Sequence, residues 1–154
     1  MQLSEFIDFE SIRHGMSPGN KRALLNQLAQ VASQRLGFDA PAIADAIADR
    51  ERLGSTGFGG GVAIPHGKLA GLDRIYGLAV RLAEPLAYKA IDGQPVDLIF
   101  LLLSPPDAGA EHLKALAAIS RLVRHAPTLE KLRGARSRDA FAAVLLGAEE
   151  RDAA

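Results

Sequence analysis

The chain contains the apolar run LIFLLL at residues 98–103. A strand with one face in solvent alternates apolar and polar residues, whereas a strand covered on both faces is apolar throughout. The run therefore predicts a central strand with a layer of structure on each side. Residues 78–82, LAVRL, alternate like a half-buried strand, and Asp92-Gly93 predicts a turn between the two strands.

Two helices are predicted before these strands. Ser17-Pro18 has the composition of an N-cap followed by a proline in the first helical turn, and Gly37 is expected to end this helix. The apolar residues between them recur at helical spacing: Ala23, Leu24, Leu28, Val31, Ala32 and Leu36. A second helix is expected to begin near Ala40-Pro41 and to end before Gly54. Its apolar face would contain Ile43, Ala44, Ile47 and Ala48.

Three further helices are predicted after the central strand. Pro105-Pro106 ends that strand, and a helix is expected to begin around Glu111-His112. Its inward-facing residues would be Leu113, Leu116, Ala117, Ser120 and Val123. Two short helices are then expected to close the chain, with Thr128 and Ser137 as their N-caps.

Helices on both sides of a small, mostly buried sheet define an α/β sandwich. With 154 residues the chain has the length of one domain and can bury a core without disulfides or metal ions. We expect a single domain over residues 1–148 and a short tail at 149–154.

Composition narrows the classes of function. Lysine plus arginine and aspartate plus glutamate each number 18, so no net charge attracts the chain to nucleic acid or to an anionic membrane. The absence of cysteine excludes disulfides and thiolate metal sites and fits a reducing compartment. The first residues lack the basic and apolar regions of a signal peptide. A helix that spans a membrane needs about 20 apolar residues, and every apolar run in this chain is much shorter. We expect a soluble cytoplasmic protein without membrane insertion or a nucleic-acid partner.

A glycine-rich segment precedes the most informative histidine. Residues 54–68 read GSTGFGGGVAIPHGK. The sequence predicts a loop over residues 54–61 and then a short strand, Val62-Ala63-Ile64, with His66 at its far end. The glycines remove side-chain bulk from the approach to the imidazole, and Pro65 stiffens the backbone before it. Because a neutral imidazole has one nitrogen free to act as a nucleophile, His66 is the candidate reactive residue.

Known phosphate and metal motifs do not fit this segment. A Walker loop needs a glycine five positions before Gly67-Lys68, where Val62 stands, and a serine or threonine where Leu69 stands. The dinucleotide fingerprint fails because its third glycine position is Val62 or Ile64. The four histidines never have a short ligand spacing, and no Gly-x-Ser-x-Gly elbow is present. We therefore expect neither a cofactor nor a metal ion.

Four segments form a longer pattern along the chain. They are Arg50-Glu51-x-x-Gly54-Ser55-Thr56-Gly57, Gly59-x-Gly61-x-Ala63-Ile64-Pro65-His66-Gly67-Lys68, Pro95-Val96-Asp97-Leu98-Ile99-Phe100 and His112-Leu113-x-x-Leu116-Ala117. In this order they resemble the IIA proteins of the bacterial phosphoenolpyruvate phosphotransferase system, of the fructose/mannitol/nitrogen type. The resemblance covers nearly the whole chain, and it implies that family's fold, a small mixed sheet flanked by helices.

The resemblance also implies roles for three residues. In that family the histidine of the Ile-Pro-His motif accepts a phosphoryl group, which assigns the phosphoryl acceptor to His66. The arginine of the Arg-Glu segment and the histidine of the His-Leu segment lie beside the phosphorylated ring in the family, which assigns Arg50 and His112. The implied donor is the phosphohistidine of an HPr-like phosphocarrier protein of the NPr kind.

The chemistry of these residues fits such a site. Phosphoryl transfer spreads charge over three oxygens, so a site must position groups and neutralise charge. The Arg50 guanidinium matches phosphate oxygens bidentately, and His112 adds a donor where a helix N-terminus already favours an anion. Plainer interpretations stay open: His112 could satisfy a backbone group, and Arg50 could be a solvated charge that shares its work with Arg52.

Other polar residues near these motifs receive smaller expected roles. Lys68 is expected to be a charge at the rim of the site. Ser55 and Thr56 are expected to make turn or capping hydrogen bonds or to steady the phosphate loop. His14 and His125 are expected to be structural, with His125 at a helix C-terminus.

Two functions remain open on the sequence. The segment at residues 61–69 looks most like that of the nitrogen-regulatory branch, whose members regulate nitrogen, carbon and potassium-related targets. Such targets would be transporters or sensor kinases reached by protein-protein contact. The alternative is a sugar-transport IIA component that passes the phosphoryl group to a fructose- or mannitol-type IIB domain.

Overall fold

The computed structural model describes residues 1–153, with side chains described for residues 1–148. Within that range the helices are α1 (Lys21–Leu36), α2 (Ala40–Leu53), α3 (Gly109–Arg124), α4 (Ala126–Gly134) and α5 (Arg138–Ala153). The strands are β1 (Arg13–Met16), β2 (Gly57–Gly59), β3 (Val62–Ala63), β4 (His66–Lys68), β5 (Tyr76–Leu86) and β6 (Val96–Ser104). Two turns of 3-10 helix, Leu3–Glu5 and Phe9–Ser11, precede β1. The expected tail at 149–154 begins inside α5, and its last residue lies outside the described part of the chain.

The strands form one mixed sheet in the order β1-β5-β6-β3-β2, with β4 also paired to β6. β5 runs antiparallel to β6, whereas β3 and β4 run parallel to it. Helices cover the sheet on both sides, so the predicted α/β sandwich is confirmed. No helix in the described residues is long and apolar enough to cross a membrane.

β6 is buried on both faces, as its composition predicts. Leu98, Phe100 and Leu102 are fully buried in a layer that includes residues of α3, α4 and α5. Ile99, Leu101 and Leu103 are fully buried in the opposite layer, which includes residues of α1 and α2. The expectation of a half-buried strand at residues 78–82 is wrong, because β5 lies beside β6 and also contributes apolar residues to both layers.

The predicted helix ends are partly correct. Gly37 ends α1 with φ near +78°, a left-handed conformation that glycine adopts without steric cost. The predicted start of that helix at Ser17-Pro18 is wrong: Asn20 is the N-cap, and its side chain accepts a hydrogen bond of 2.8 Å from the backbone N–H of Ala23. Both residue types can cap a helix, so composition alone could not separate them.

The C-terminal helices show a similar mixture. Ser137 caps α5, as predicted, and accepts from the backbone N–H of Ala140 at 3.1 Å. That helix is not short, since it runs from Arg138 to Ala153. The other predicted cap is wrong, because Thr128 lies inside α4 and its N–H is bound by the side chain of His125. His125 thus joins the end of α3 to the start of α4.

α3 begins at Gly109 and faces the core with residues other than those predicted. Its buried residues are Ala115, Ala118, Ile119, Leu122 and Val123. Of the predicted inward set only Val123 is buried, and Leu113 is 67% exposed. The helix carries two apolar stripes, and periodicity cannot tell which of them faces the sheet. Three residues of the predicted stripe, Leu116, Ala117 and Ser120, lie instead at the surface beside His66.

The segment before His66 also differs from the prediction. The expected loop at residues 54–61 contains β2, which pairs with β3. The strand before His66 ends at Ala63, and His66 begins a separate strand that pairs with β6. The break follows from Pro65, which has no N–H to donate, and from Ile64, whose N–H donates to the carbonyl of Thr56 at 3.0 Å.

The N-cap of α1 gives a direct test of this description. Asn20→Ala is expected to lower the free energy of unfolding by about 1 kcal/mol, because it leaves the N–H of Ala23 without its side-chain acceptor. Ser17→Ala serves as the matched control and is expected to change stability by a few tenths of a kcal/mol at most, as for a surface site. Urea unfolding followed by circular dichroism measures both. A larger loss for the Ser17 variant would contradict the cap assignment.

Candidate functional site

His66 is the first residue of β4 and lies beside Leu102 of β6. Its side chain is half-buried. The next residue, Gly67, packs so closely against α2 that a Cβ there would lie 3.1 Å from the backbone carbonyl of Ala46. A larger residue would push α2 away from β4. The glycine therefore keeps the last turn of α2, which carries Arg50, close to His66.

The hydrogen bonding of His66 defines which ring nitrogen is free. Nδ1 lies 2.8 Å from the backbone carbonyl oxygen of Ile64. A carbonyl only accepts hydrogen bonds, so the neutral ring holds its proton on Nδ1 and donates it to Ile64. Nε2 then has the unshared electron pair. The break in the strand at Ile64 and Pro65 provides this carbonyl.

The surroundings of His66 lower the pKa of its imidazole. Burial of the imidazole lowers its pKa below the ordinary value, and the Arg50 guanidinium lowers the pKa further. The hydrogen bond to Ile64 and the negative charge of Glu51 raise the pKa, but the net shift is downward. The ring is therefore unprotonated over a wider pH range than the ring of a solvent-exposed histidine.

His112 lies beside His66. The two ring centroids are 5.2 Å apart, and the ring planes are tilted by 53°. His112 is in the first turn of α3, where a helix favours an anion, although its own N–H is bound to the carbonyl of Ala108. Burial lowers the pKa of its imidazole, and the charges of His66 and Lys68 lower it further.

Arg50 and Arg52 have different surroundings. Arg50 is half-buried, donates to the carbonyl of Gly54 at 2.8 Å and lines the same surface depression as His66. Arg52 is exposed and forms an ion pair with Asp49, one turn earlier on α2. The structure thus brings Arg50, and not Arg52, to the candidate site.

A buried polar cluster behind Arg50 was not predicted. Glu51 is 6% exposed; it forms an ion pair with Lys21 at 2.8 Å, accepts from the Tyr88 hydroxyl at 2.9 Å and binds the Thr56 hydroxyl. The Lys21 ammonium also lies 4.1 Å from the centre of the Tyr88 ring. Burial raises the pKa of Glu51, but the hydrogen bonds from Lys21, Thr56 and Tyr88 together outweigh it, and the net pKa is low.

This cluster holds the backbone that positions His66. Thr56 is fixed by Glu51, and its carbonyl accepts from Ile64, the residue that in turn binds His66. Glu51 belongs to the Arg-Glu motif, but only the fold shows that Lys21 of α1 and Tyr88, which follows β5, bind its carboxylate. Ser55 makes the expected turn bond, accepting from the N–H of Gly57 at 3.1 Å.

The surface around His66 is mainly apolar. A depression of about 360 Å³ is lined by Arg50, Thr56, Phe58, Ile64, His66, Ile91, Leu116, Ala117 and Ser120. Phe58 and Ile91 are 38% and 82% exposed, although both are large apolar residues. Such a surface suits contact with another protein. Phe58 was not predicted as a site residue. A large apolar side chain in a glycine-rich segment predicted to be a loop is the sequence signal that could have indicated it.

The remaining residues predicted near the site lie outside its centre. Lys68 is exposed at the edge, as expected for a rim charge. His14 binds the carbonyl of Ala135 at 2.8 Å, which is a structural contact. His125 lines a separate depression of about 500 Å³ between α4 and α5. Among the described residues, no three His, Asp or Glu side chains are grouped as metal ligands.

The mixed sheet between two helix layers thus brings Arg50, His66 and His112 close to one another. Residues 5–147 match the model of the family described as phosphoenolpyruvate-dependent sugar phosphotransferase system, EIIA 2. The chain belongs to this family, whose members act as phosphocarriers of that system.

Within this family, the chain is similar to both nitrogen regulatory and fructose-specific proteins. The chain is 44% identical over 145 residues to a nitrogen regulatory protein of Bradyrhizobium diazoefficiens, covering 94% of this chain and 95% of that protein. The crystal structure of the nitrogen regulatory protein IIA-Ntr from Neisseria meningitidis superposes with a TM-score of 0.87 at 34% identity, covering 93% of this chain and 98% of that one. A fructose-specific EIIA component of Haloferax volcanii is 36% identical over 107 residues, 70% of each chain. The chain thus resembles the nitrogen regulatory members of its family.

The electrostatics of the site can be tested by titration. The NMR midpoints of His66 and His112 are expected to lie below 6.5, the ordinary histidine value. Arg50→Gln is expected to raise the His66 midpoint, because it removes a positive charge that disfavours the imidazolium. Arg52→Gln, the matched control, is expected to leave it unchanged. An equal shift in both variants would contradict the placement of Arg50.

Proposed function

We propose that His66 is a phosphoryl acceptor and that Nε2 is the nitrogen that reacts. The observation that carries the proposal is the 2.8 Å contact between Nδ1 and the carbonyl of Ile64. It ties the ring proton to one nitrogen and leaves the other nitrogen as a nucleophile beside Arg50 and His112. The family assignment supplies the chemistry, because its members carry phosphoryl groups.

The proposed donor is the phosphohistidine of an HPr-like phosphocarrier protein of the NPr kind. The Nε2 lone pair of His66 forms a new P–N bond while the P–N bond of the donor breaks, and the donor imidazole takes back the electron pair. Nδ1 of His66 keeps its proton, and the positive charge that the ring gains is stabilised by the carbonyl of Ile64. The step needs neither a nucleotide nor a metal ion, since the donor bond is already activated.

Arg50 and His112 would stabilise the transferred group. The charge of the transition state is spread over three oxygens, and fixed donors aimed at those oxygens lower its energy. The guanidinium of Arg50 supplies a permanent positive charge with paired donors, and the His112 ring, 5.2 Å from that of His66, supplies a further donor. Its position in the first turn of α3 places this donor near the end of the helix that favours an anion.

The apolar surroundings of His66 support a protein donor over a small metabolite. Phe58, Ile91 and Leu116 line the same depression as His66, and Phe58 and Ile91 are exposed large apolar residues. A partner that covers them would exclude water from the transferring group and protect it from hydrolysis. A donor charged from phosphoenolpyruvate would meet this protein in the cytoplasm.

Regulation is the proposed output. Phosphorylation adds about −1.5 to −2 charges and three acceptor oxygens to the apolar surface, which is enough to create or abolish a protein contact. The similarity to a nitrogen regulatory protein over nearly the full length of both chains supports a role in nitrogen regulation. The proposed targets are nitrogen-, carbon- or potassium-related proteins, such as transporters or sensor kinases.

The alternative function is sugar transport. Its support is the 36% identity to a fructose-specific EIIA component. In that case the phosphoryl group on His66 would pass to a fructose- or mannitol-type IIB domain. Rapid loss of the label to such a domain, together with loss of sugar uptake on deletion of the gene, would favour transport over regulation.

Phosphorylation by phosphoenolpyruvate and the upstream carriers tests the proposal. The wild-type chain is expected to take up an acid-labile, base-stable phosphoryl group, and His66→Ala is expected to take up none. His14→Gln is the matched histidine control, because His14 binds a distant carbonyl, and it should be labelled like the wild type. Arg50→Gln is expected to slow labelling by about 10²-fold, as for loss of one preorganised donor. Labelling of the His66 variant at the wild-type rate would overturn the proposal.

A further inference from the structure

Ser104 is a fully buried serine at the end of the apolar strand β6. Its hydroxyl oxygen lies 2.6 Å from Nδ1 of His112. Its backbone is fixed as well, since the carbonyl accepts from the N–H of Leu69 at 2.9 Å and the strand pairs with β4. A polar side chain at this position has no role in the core itself, so its contact with His112 calls for a physical explanation.

The direction of this hydrogen bond follows from the surroundings of the hydroxyl. In the described residues the Ser104 hydroxyl has no hydrogen-bond partner other than His112. A buried O–H that donates to nothing is costly, so its hydrogen must go to Nδ1. A nitrogen that accepts a hydrogen bond carries no proton, and the neutral His112 ring therefore has its proton on Nε2.

The two histidines of the site then have opposite tautomers. His66 donates from Nδ1 to a carbonyl and has its lone pair on Nε2. His112 accepts at Nδ1 and has its N–H on Nε2, at the edge of the ring away from Ser104. One ring can act as the nucleophile and the other as a donor to phosphoryl oxygens. In the reverse tautomer, His112 would present a lone pair to an anionic group.

We propose that Ser104 is a positioning residue that sets the tautomer and the orientation of His112, so that its Nε2–H donates to the phosphoryl group. The inference rests on the proposed function of His66, but its first test does not. Ser104 touches no phosphoryl group itself and acts only through His112. The neutrality of His112 near pH 7, which burial favours, makes the choice of tautomer matter.

The tautomer can be measured in the unphosphorylated protein. Proton–nitrogen correlation NMR of the ring nitrogens above their titration midpoints is expected to show His112 with Nδ1 unprotonated and Nε2 protonated, and His66 with the reverse. Protonated Nδ1 on His112 in the wild type would overturn the proposal. This result is independent of whether His66 is ever phosphorylated.

Variants test the functional part. Ser104→Ala is expected to slow phosphoryl uptake from an HPr-like carrier about five-fold, the equivalent of one neutral hydrogen bond, and to move the His112 nitrogen signals toward a mixture of tautomers. Ser104→Thr keeps the hydroxyl and is expected to restore both. In a His112→Gln background, Ser104→Ala is expected to cause no further loss. An undiminished loss there would mean that Ser104 acts through the fold and not through His112, whereas absence of uptake by the wild type would count against the proposed function alone.

Discussion

Full burial of β6 imposes a constraint on the rest of the molecule. A strand with no exposed face cannot leave its N–H and C=O groups without partners, because water does not reach them. β5 satisfies one edge of β6, and β3 and β4 satisfy the other. The second edge is interrupted between β3 and β4, where Ile64 and Pro65 belong to neither strand. The backbone groups there keep partners: the N–H of Ile64 donates to the carbonyl of Thr56, and the N–H of Leu102 donates to the carbonyl of Pro65.

The candidate site is built at that interruption. The carbonyl of Ile64, no longer committed to a regular ladder, accepts the ring proton of His66. The end of β6 delivers Ser104, and the following helix delivers His112. The polar cluster around Glu51 fixes the loop that Ile64 contacts. Rigid elements thus hold both histidines, which is the arrangement expected where catalysis depends on preorganised donors.

Sequence patterns identified the parts of the structure that burial dominates. The run at residues 98–103 was predictable because burial on both faces makes a strand apolar throughout, and α1 and α2 were predictable because each buries one apolar stripe against the sheet. β4 could not be predicted, because His66, Gly67 and Lys68 have no strand preference of their own and pair only through β6. The prediction of which face of α3 points inward was wrong, because the helix has a second apolar stripe that borders the site.

The motif pattern named Arg50, His66 and His112 as one group, and the structure brings the three together. It could not name Ser104 or Tyr88, because their contacts join residues 8 and 37 positions apart in the chain. The tautomers of the two histidines depend on a carbonyl and a hydroxyl that only the folded chain supplies. The sequence could thus predict which side chains group at the candidate site, whereas the positions of the ring protons required the fold.

The proposal for His66 is tested most directly by identifying the ring nitrogen that bonds to phosphorus. Phosphorus–nitrogen coupling in the NMR spectrum of the protein, phosphorylated by an HPr-like carrier, reports which ring nitrogen is bonded to phosphorus. The account predicts Nε2 of His66, with the proton retained on Nδ1 and hydrogen-bonded to Ile64. A phosphoryl group on Nδ1 of His66, or on any other histidine, would contradict it.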